Sequence, residues 1–224
     1  LGVVDGVAGD SADREHRRRH DSREQWMTEN HPRIGRLLLA VTDDPSSTKV
    51  WATGAEGERA VAKRLDAIAC DSVRVLHDRR IRGGSANIDH IAVCSTGVYV
   101  IDAKHYRDQR PEKRVEGGFL KPRQELLYLG GRNRSPLVEG VIKQVGLVER
   151  ALAGEYVRVT GVLCFVDADW PLLSDGFTVR GVEVMWPKRL PKVLTRPGPL
   201  SAERIADLQW RLHEAFPRAR NVES

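Results

Sequence analysis

Short apolar runs rich in β-branched residues alternate along this chain with longer stretches in which apolar side chains recur every three or four positions. The first kind of pattern predicts strands and the second predicts helices. Val61, Ala62, Leu65 and Ile68 share one helical face, which predicts a helix from Ala55 to Ala69 with Thr53-Gly54 at its start and Glu58 in its first turn. Val73 to His77 predicts a strand, and Asp78 to Ser85 a polar loop. Ile88 to Val93 and Val98 to Ala103 then form two arms of a hairpin about Ser95-Thr96-Gly97. Lys113 to Leu120 and Glu125 to Leu129 suit a more exposed strand pair around Lys121-Pro122. Ser135-Pro136 supplies a cap and a first helical residue for a helix running to about Leu152, ended by Ala153-Gly154. Val157 to Val166 and Val182 to Trp186 predict two more strands. Pro187 to Pro199 reads as a Pro-rich loop with one helical turn, and Ser201 caps a last helix through about Phe216. This order of elements predicts a mixed α/β fold, a central sheet flanked by helices.

The flanks read differently. Residues 1–26 carry Gly, Asp, Ser and the run Arg14-Glu15-His16-Arg17-Arg18-Arg19-His20 with little periodic apolar content, so they are expected to be a disordered extension, and Met27 is a plausible native start. Residues 27–50 include an apolar cluster, Ile34 to Val41, expected to dock on the core as a short helix. The core proper is assigned to residues 51–155, and residues 156–224 complete the same domain.

Composition narrows the function classes. With 224 residues and 41% hydrophobic content the chain affords one core of useful size. Cys70, Cys94 and Cys164 are widely spaced and odd in number, which predicts reduced core thiols of a cytoplasmic protein, and no CxxC or Cys/His cluster suggests zinc. No apolar run reaches the length of a membrane span, so no membrane partner is expected. A formal charge of +5 points to an anionic partner. Its source is not the Arg-rich N-terminus, where five Arg face six Asp and Glu through Trp26, but Lys104 to Arg134, with nine Lys and Arg against four Asp and Glu.

The hairpin carries the chemistry. With Ser95-Thr96 as the turn, counting outward sets Asp89 opposite Asp102, whereas a bulge at Gly97 shifts the pairing by one. Like charges facing across a ladder are destabilising, so this pair calls for a cation. Lys104, on the same strand face as Asp102, is one candidate and a divalent metal is the other. Oxygen ligands without Cys or clustered His favour Mg²⁺ or Mn²⁺. A bare Asp-x-Lys is most simply an ion pair at a strand end, and Glu58 most simply a favourable charge at a helix N-terminus. The combination of a second Asp, a Glu on the preceding helix and a basic segment downstream shifts the balance toward phosphate chemistry. His77, His90 and His105 are read as core or surface histidines, and Tyr106 and Tyr128 as packing residues with some capacity to stack on bases.

Three segments, Gly54-Ala55-Glu56-Gly57-Glu58-Arg59-Ala60-Val61 with Leu65, Asn87-Ile88-Asp89-His90-Ile91-Ala92-Val93, and Gly97-Val98-Tyr99-Val100-Ile101-Asp102-Ala103-Lys104, resemble the nuclease-related domain, NERD, a family similar in its core to the PD-(D/E)xK nucleases. The resemblance covers about Trp51 to Leu152 and implies a restriction-endonuclease-like core. It implies Glu58 as the helix-borne acid, Asp89 as the metal-binding aspartate, Asp102 and Lys104 as the D-x-K pair, and the Ala103 carbonyl as a further metal ligand. Asp102 stands where relatives usually carry Glu. Where many relatives have a Gln soon after an Asn-Pro, this chain has Ser135-Pro136 and only the more distant Gln144, a weakly transferred accessory.

The resulting expectation is a Mg²⁺- or Mn²⁺-dependent nuclease hydrolysing phosphodiester bonds, in DNA rather than RNA. Asp89, Asp102, Ala103 and Glu58 would hold the metal and Lys104 would assist the nucleophile. Arg107, Arg110, Lys113, Arg114, Lys121, Arg123, Arg132 and Arg134 would grip phosphates. The alternatives are a non-catalytic nucleic-acid-binding or regulatory module on the same fold, and an ion-paired α/β domain serving protein interaction.

Overall fold

The computed structural model describes residues 1–11, 14, 46–83, 86–118, 122–172 and 174–218, with the backbone alone at residues 46–53. Its centre is a seven-stranded mixed sheet in the order β1-β2-β3-β4-β8-β10-β9. The strands are β1 (Val4–Asp5), β2 (Val73–Arg80), β3 (Asn87–Cys94), β4 (Gly97–His105), β8 (Val159–Val166), β9 (Phe177–Val179) and β10 (Val182–Met185). The middle of the sheet is an antiparallel meander, β2-β3-β4, continued by parallel pairing of β4 with β8 and of β8 with β10. A smaller antiparallel sheet holds β5 (Pro111–Glu116), β6 (Gln124–Leu129) and β7 (Arg132–Asn133). Helices α1 (Ser46–Asp66), α2 (Ser135–Ala151), the short α3 (Leu190–Leu194) and α4 (Ala202–Ala215) cover the faces.

β4 is buried from Gly97 through Ala103, which is why its sequence is apolar at successive positions instead of alternating. One face packs Ala92, Tyr99 and Ile101 against Val61 and Leu65 of α1, and the other packs Ile91, Val98 and Val100 against Val148 of α2 and Leu208 of α4. A third cluster seats Leu127 and Leu129 of the small sheet on Leu163 and Phe165 of β8. Gly97 is obligatory at the hairpin turn: its φ is +137°, and a Cβ there would stand 2.5 Å from the Arg158 carbonyl oxygen. That carbonyl accepts from the Val98 N–H at 2.9 Å and starts the β4–β8 pairing.

Several boundaries differ from the sequence reading. α1 begins at Ser46, so Glu58 lies well inside the helix and not in its first turn, and Thr53-Gly54 is no helix start. β2 runs through Asp78 to Arg80 where a polar loop was expected. The Ser135 hydroxyl does not cap α2; it accepts from the Leu127 N–H at 3.1 Å and ties the helix start to β6. Ser201 does cap α4, accepting from the Arg204 N–H. The apolar cluster Ile34 to Val41 lies outside the described residues.

The largest correction concerns the start of the chain. Of the extension expected to be disordered, residues 12–13 and 15–26 lie outside the described residues, but within residues 1–11 Val4–Asp5 adds a parallel edge strand to β2. Asp5 is 2% exposed and its carboxylate meets Arg79, which has no exposed surface, as well as His213 at 2.8 Å and Arg218. A start at Met27 would remove this strand. Stripping one partner from a buried ion pair costs about 3–5 kcal/mol. Asp5→Ala is therefore expected to lose stability of that order in urea denaturation, and deletion of residues 1–11 at least as much; an unchanged midpoint would show that β1 is not part of the cooperative fold.

Candidate active site

The polar end of the central meander forms one rung of carboxylates. The β3–β4 pairing runs from Cys94 opposite Gly97 to His90 opposite Ile101, so the next place sets Asp89 opposite Asp102 with no bulge at Gly97. The β2–β3 pairing continues from His77 opposite His90 to Arg79 opposite Ile88, which sets Asp78 between them opposite Asp89. Three neighbouring strands thus bring three aspartates to one level. Asp78 was missed in the sequence because its segment reads as a loop. Its φ of +50°, tolerated by Asp, marks the point where β2 runs on but its pairing with β3 skips one position.

Each acid is held differently. Lys104 Nζ donates to Asp102 Oδ1 at 2.9 Å and lies 3.3 Å from the Ala103 carbonyl oxygen. Asp89 Oδ2 accepts from the Ala103 N–H at 2.9 Å, closing the ladder where the strands part. Asp78 accepts from the Ser11 hydroxyl and N–H and, at 2.8 Å, from the Asn87 amide, which brings the N-terminal segment onto the site. Glu58 enters from α1. That helix packs closely on the end of β4 at Gly57, where a Cβ would stand 3.1 Å from the His105 Cβ.

Crowding shows in the protonation of these groups. Burial, then the Asp102 charge, pushes the Asp89 carboxyl well above the usual carboxylate range. Burial, then Asp78, raises Glu58 to about 7, against the pull of Lys104 and the Gly9 backbone. Burial alone would lower the Lys104 ammonium, but Asp102, Asp89 and Glu58 outweigh it and hold it above its usual range. Lys104 is therefore a cation at neutral pH, unsuited to serve as a base. The deep thiol of Cys164, beside Asp102, is pushed up chiefly by burial.

The oxygen donors suit a hard divalent cation by type: carboxylates of Asp89, Asp102 and Glu58 and the Ala103 carbonyl. Among the described residues no three His, Cys, Asp or Glu side chains already converge as a metal cage. Lys104 Nζ lies on Asp102 Oδ1, and Asp89 Oδ2 is turned onto the Ala103 backbone N–H.

The remaining predicted residues divide. Arg107, Arg123 and Arg132 are exposed, as a phosphate grip needs. Arg110 pairs with Asp169 at 3.4 Å, Lys113 with Glu125, and Arg114 with Glu112 at 3.2 Å while covering the Tyr128 ring. Arg134 lies over Tyr106, which packs edge-on against Phe165. Lys121 lies outside the described residues. Gln144 has a buried Oε1 without a hydrogen-bond partner among the described residues. His77 and His90 meet through their Nδ1 atoms at 2.8 Å inside the core, and His105 is held by Asp167 at 2.8 Å.

The raised Glu58 gives a stability signature. Between its ordinary value of 4.5 and about 7 the folded chain keeps a proton that the unfolded chain has released. Ionising it in the fold thus costs stability, on the order of 3 kcal/mol, a cost that develops as pH rises through this window and is complete above it. Glu58→Gln is expected to raise Tm by several degrees at pH 8 and to leave it nearly unchanged at pH 4.5. Equal shifts at both pH values would mean that Glu58 is not crowded.

Comparisons with known proteins bear on this arrangement. The search of curated proteins and the search of solved structures each found no match. The sequence model described as nuclease-related domain matches residues 53–166, from the middle of α1 to the last residue of β8. The match takes in Glu58, all three aspartates of the rung and Lys104, and a mixed sheet flanked by helices is consistent with a restriction-endonuclease-like core. The chain belongs to the nuclease-related domain family.

Proposed function

We propose that the protein is a metal-dependent nuclease that hydrolyses phosphodiester bonds, with DNA as its substrate. The observation that carries this reading is the rung of acids at a dry strand end, with Asp89 raised by burial and then by its like-charged neighbour Asp102. Such an arrangement is costly unless a cation joins it, and the donors are those of Mg²⁺ or Mn²⁺. Asp89, Asp102, Glu58 and the Ala103 carbonyl would hold the ion, which when bound would stabilise charge on the phosphate and acidify water.

The chain's own groups divide the remaining work. Lys104, positive, bonded to Asp102 and 30% exposed at its side chain, would hold a phosphate oxygen or orient the attacking water. Glu58, raised to about 7 by burial and Asp78 while no ion is bound, would ionise as an ion binds and would then be the carboxylate placed to accept a proton from the attacking water. Water oxygen bonds to phosphorus, the bond from phosphorus to the leaving oxygen breaks, the water's proton passes toward Glu58, and solvent protonates the leaving oxygen. Arg107, Arg123 and Arg132 are exposed on the basic segment and would bind backbone phosphates without reading sequence. The free thiols suit a cytoplasmic setting; no helix among the described residues is long and apolar enough to cross a membrane.

A non-catalytic nucleic-acid-binding module is the competing reading, favoured by Lys104 already sitting on Asp102. A cleavage assay decides between them. With Mn²⁺ or Mg²⁺ the purified protein is expected to cut linear, circular or single-stranded DNA. Lys104→Ala is expected to reduce the rate by about a hundredfold or more while DNA binding persists, and Asp102→Asn to abolish cleavage. Cleavage that survives both substitutions would belong to a contaminant, and no cleavage of any form would leave the binding module. A divalent ion is also expected to raise Tm, more at pH 8 than at pH 5.5, because it competes with the protons on Glu58 and Asp89.

A further inference from the structure

Beside the acid cluster, between α1 and the C-terminal end of β8, lies a cavity of about 660 Å³. Its walls include Phe165, Trp170 and Trp186, with Lys63, Arg64 and Lys188 around them. Its floor is joined to the candidate active site through the sheet. Phe165 pairs with Lys104 across the β4–β8 ladder, and Asp167, at the cavity edge, bonds His105 at 2.8 Å. Neighbouring strands lie about 5 Å apart, so the cavity begins one strand from the Asp-Ala-Lys end.

The chemistry of the walls is specific. The indoles of Trp170 and Trp186 meet with centroids 5.1 Å apart at 50°, and both are only half-buried, leaving aromatic surface to the cavity. Among the described residues Lys63, Arg64 and Lys188 have no ion-pair partner, and all three are exposed. Among the described residues Asp167 is the one acid of the lining, and it is engaged by His105. In the small sheet, by contrast, Lys113 and Arg114 are neutralised by Glu125 and Glu112. Closing off a hydrophobic core requires the tryptophans but gives no reason to gather three unpaired cations around them.

Flat aromatic surface edged by free positive charge fits a planar base attached to phosphates, and the volume is that of a small-molecule pocket. A base within a duplex has both faces covered by its neighbours and cannot reach such walls, whereas an unpaired one can. We propose that this cavity is a subsite for an unpaired nucleotide of the nucleic-acid strand, its base against Trp170 and Trp186 and its phosphates at Lys63, Arg64 and Lys188. Its role in cleavage rests on the nuclease reading; the binding itself does not. The protein would then act on strands with a single-stranded stretch, end or flap beside the scissile bond.

The test separates the two claims. Binding of a fluorescein-labelled oligothymidylate and of a blunt duplex of the same length is measured by anisotropy in EDTA, in an Asp102→Asn background, so that neither cleavage nor metal contributes. The single strand is expected to bind more tightly than the duplex and to quench tryptophan fluorescence. Trp170→Leu, which leaves charge unchanged, should weaken single-strand binding about tenfold, the order of one lost base stack, and leave duplex binding within twofold. Arg64→Glu with Lys188→Glu, both at exposed positions, gives a second variant independent of core packing and should also weaken the single strand by about tenfold or more. Single-strand affinity within twofold of the parent in both variants would overturn the subsite. Thymidine monophosphate competing as well as the oligonucleotide would overturn the assignment to a strand in favour of a free nucleotide. A failure here together with metal-dependent cleavage would remove only the subsite, and intact binding without cleavage would remove only the nuclease.

Discussion

The structure turns on the meeting of Asp89 and Asp102 across the last rung of the β3–β4 hairpin. Apolar neighbours strip water from this end of the strands, so their mutual repulsion is poorly screened, and Asp89 responds by holding its proton far more tightly than a free carboxyl. Every nearby feature bears on that repulsion. Lys104 bonds to Asp102, the Ala103 N–H bonds to Asp89, and Glu58 and Asp78 enlarge the negative cluster. One ammonium at Asp102 and the Arg14 guanidinium 3.8 Å from Asp78 face four carboxyl groups, which leaves the cluster short of positive charge, and this deficit is the physical basis for proposing a divalent ion.

The rest of the fold holds the cluster in that unfavourable arrangement. β4 is buried on both faces between the α1 side and the α2/α4 side, so its end cannot swing away from β3. Gly57 lets α1 approach β4 closely enough to deliver Glu58, and the N-terminal segment adds Gly9 and Ser11 to the partners of Glu58 and Asp78. A buried pair, Asp5 with Arg79, fastens that segment to β2. The next ladder of the sheet, between β4 and β8, pairs Lys104 with Phe165, which brings the tryptophan-lined cavity alongside the acids.

The hairpin was legible in the sequence because two β-branched runs and one glycine mark both arms and the turn; of the two registers left open, the structure adopts the one without a bulge, which puts Asp89 against Asp102. Glu58 was legible only through the family resemblance. Its local pattern suggested a helix-start charge, and its placement among acids comes from packing between α1 and β4. Asp78 was hidden by a polar stretch that the partner strand β3 nevertheless draws into the sheet. β1 was hidden as well, since a two-residue strand has no periodicity and its anchor is an ion pair between residues seventy-four positions apart. Charge summed along the basic segment could not reveal that Lys113 and Arg114 face their own acids across and along the small sheet. The cations around Trp170 and Trp186 come from three distant segments and had no sequence signature.

Direct binding of Mn²⁺ tests the central claim most closely. Isothermal titration at pH 7.5, repeated in two buffers of different ionisation enthalpy, should show saturable binding with proton release, as the ion displaces protons held by Asp89 and Glu58. Both the binding and the release should be lost in Asp89→Asn. Absence of saturable binding, or binding of the same strength and proton release in Asp89→Asn, would contradict the account.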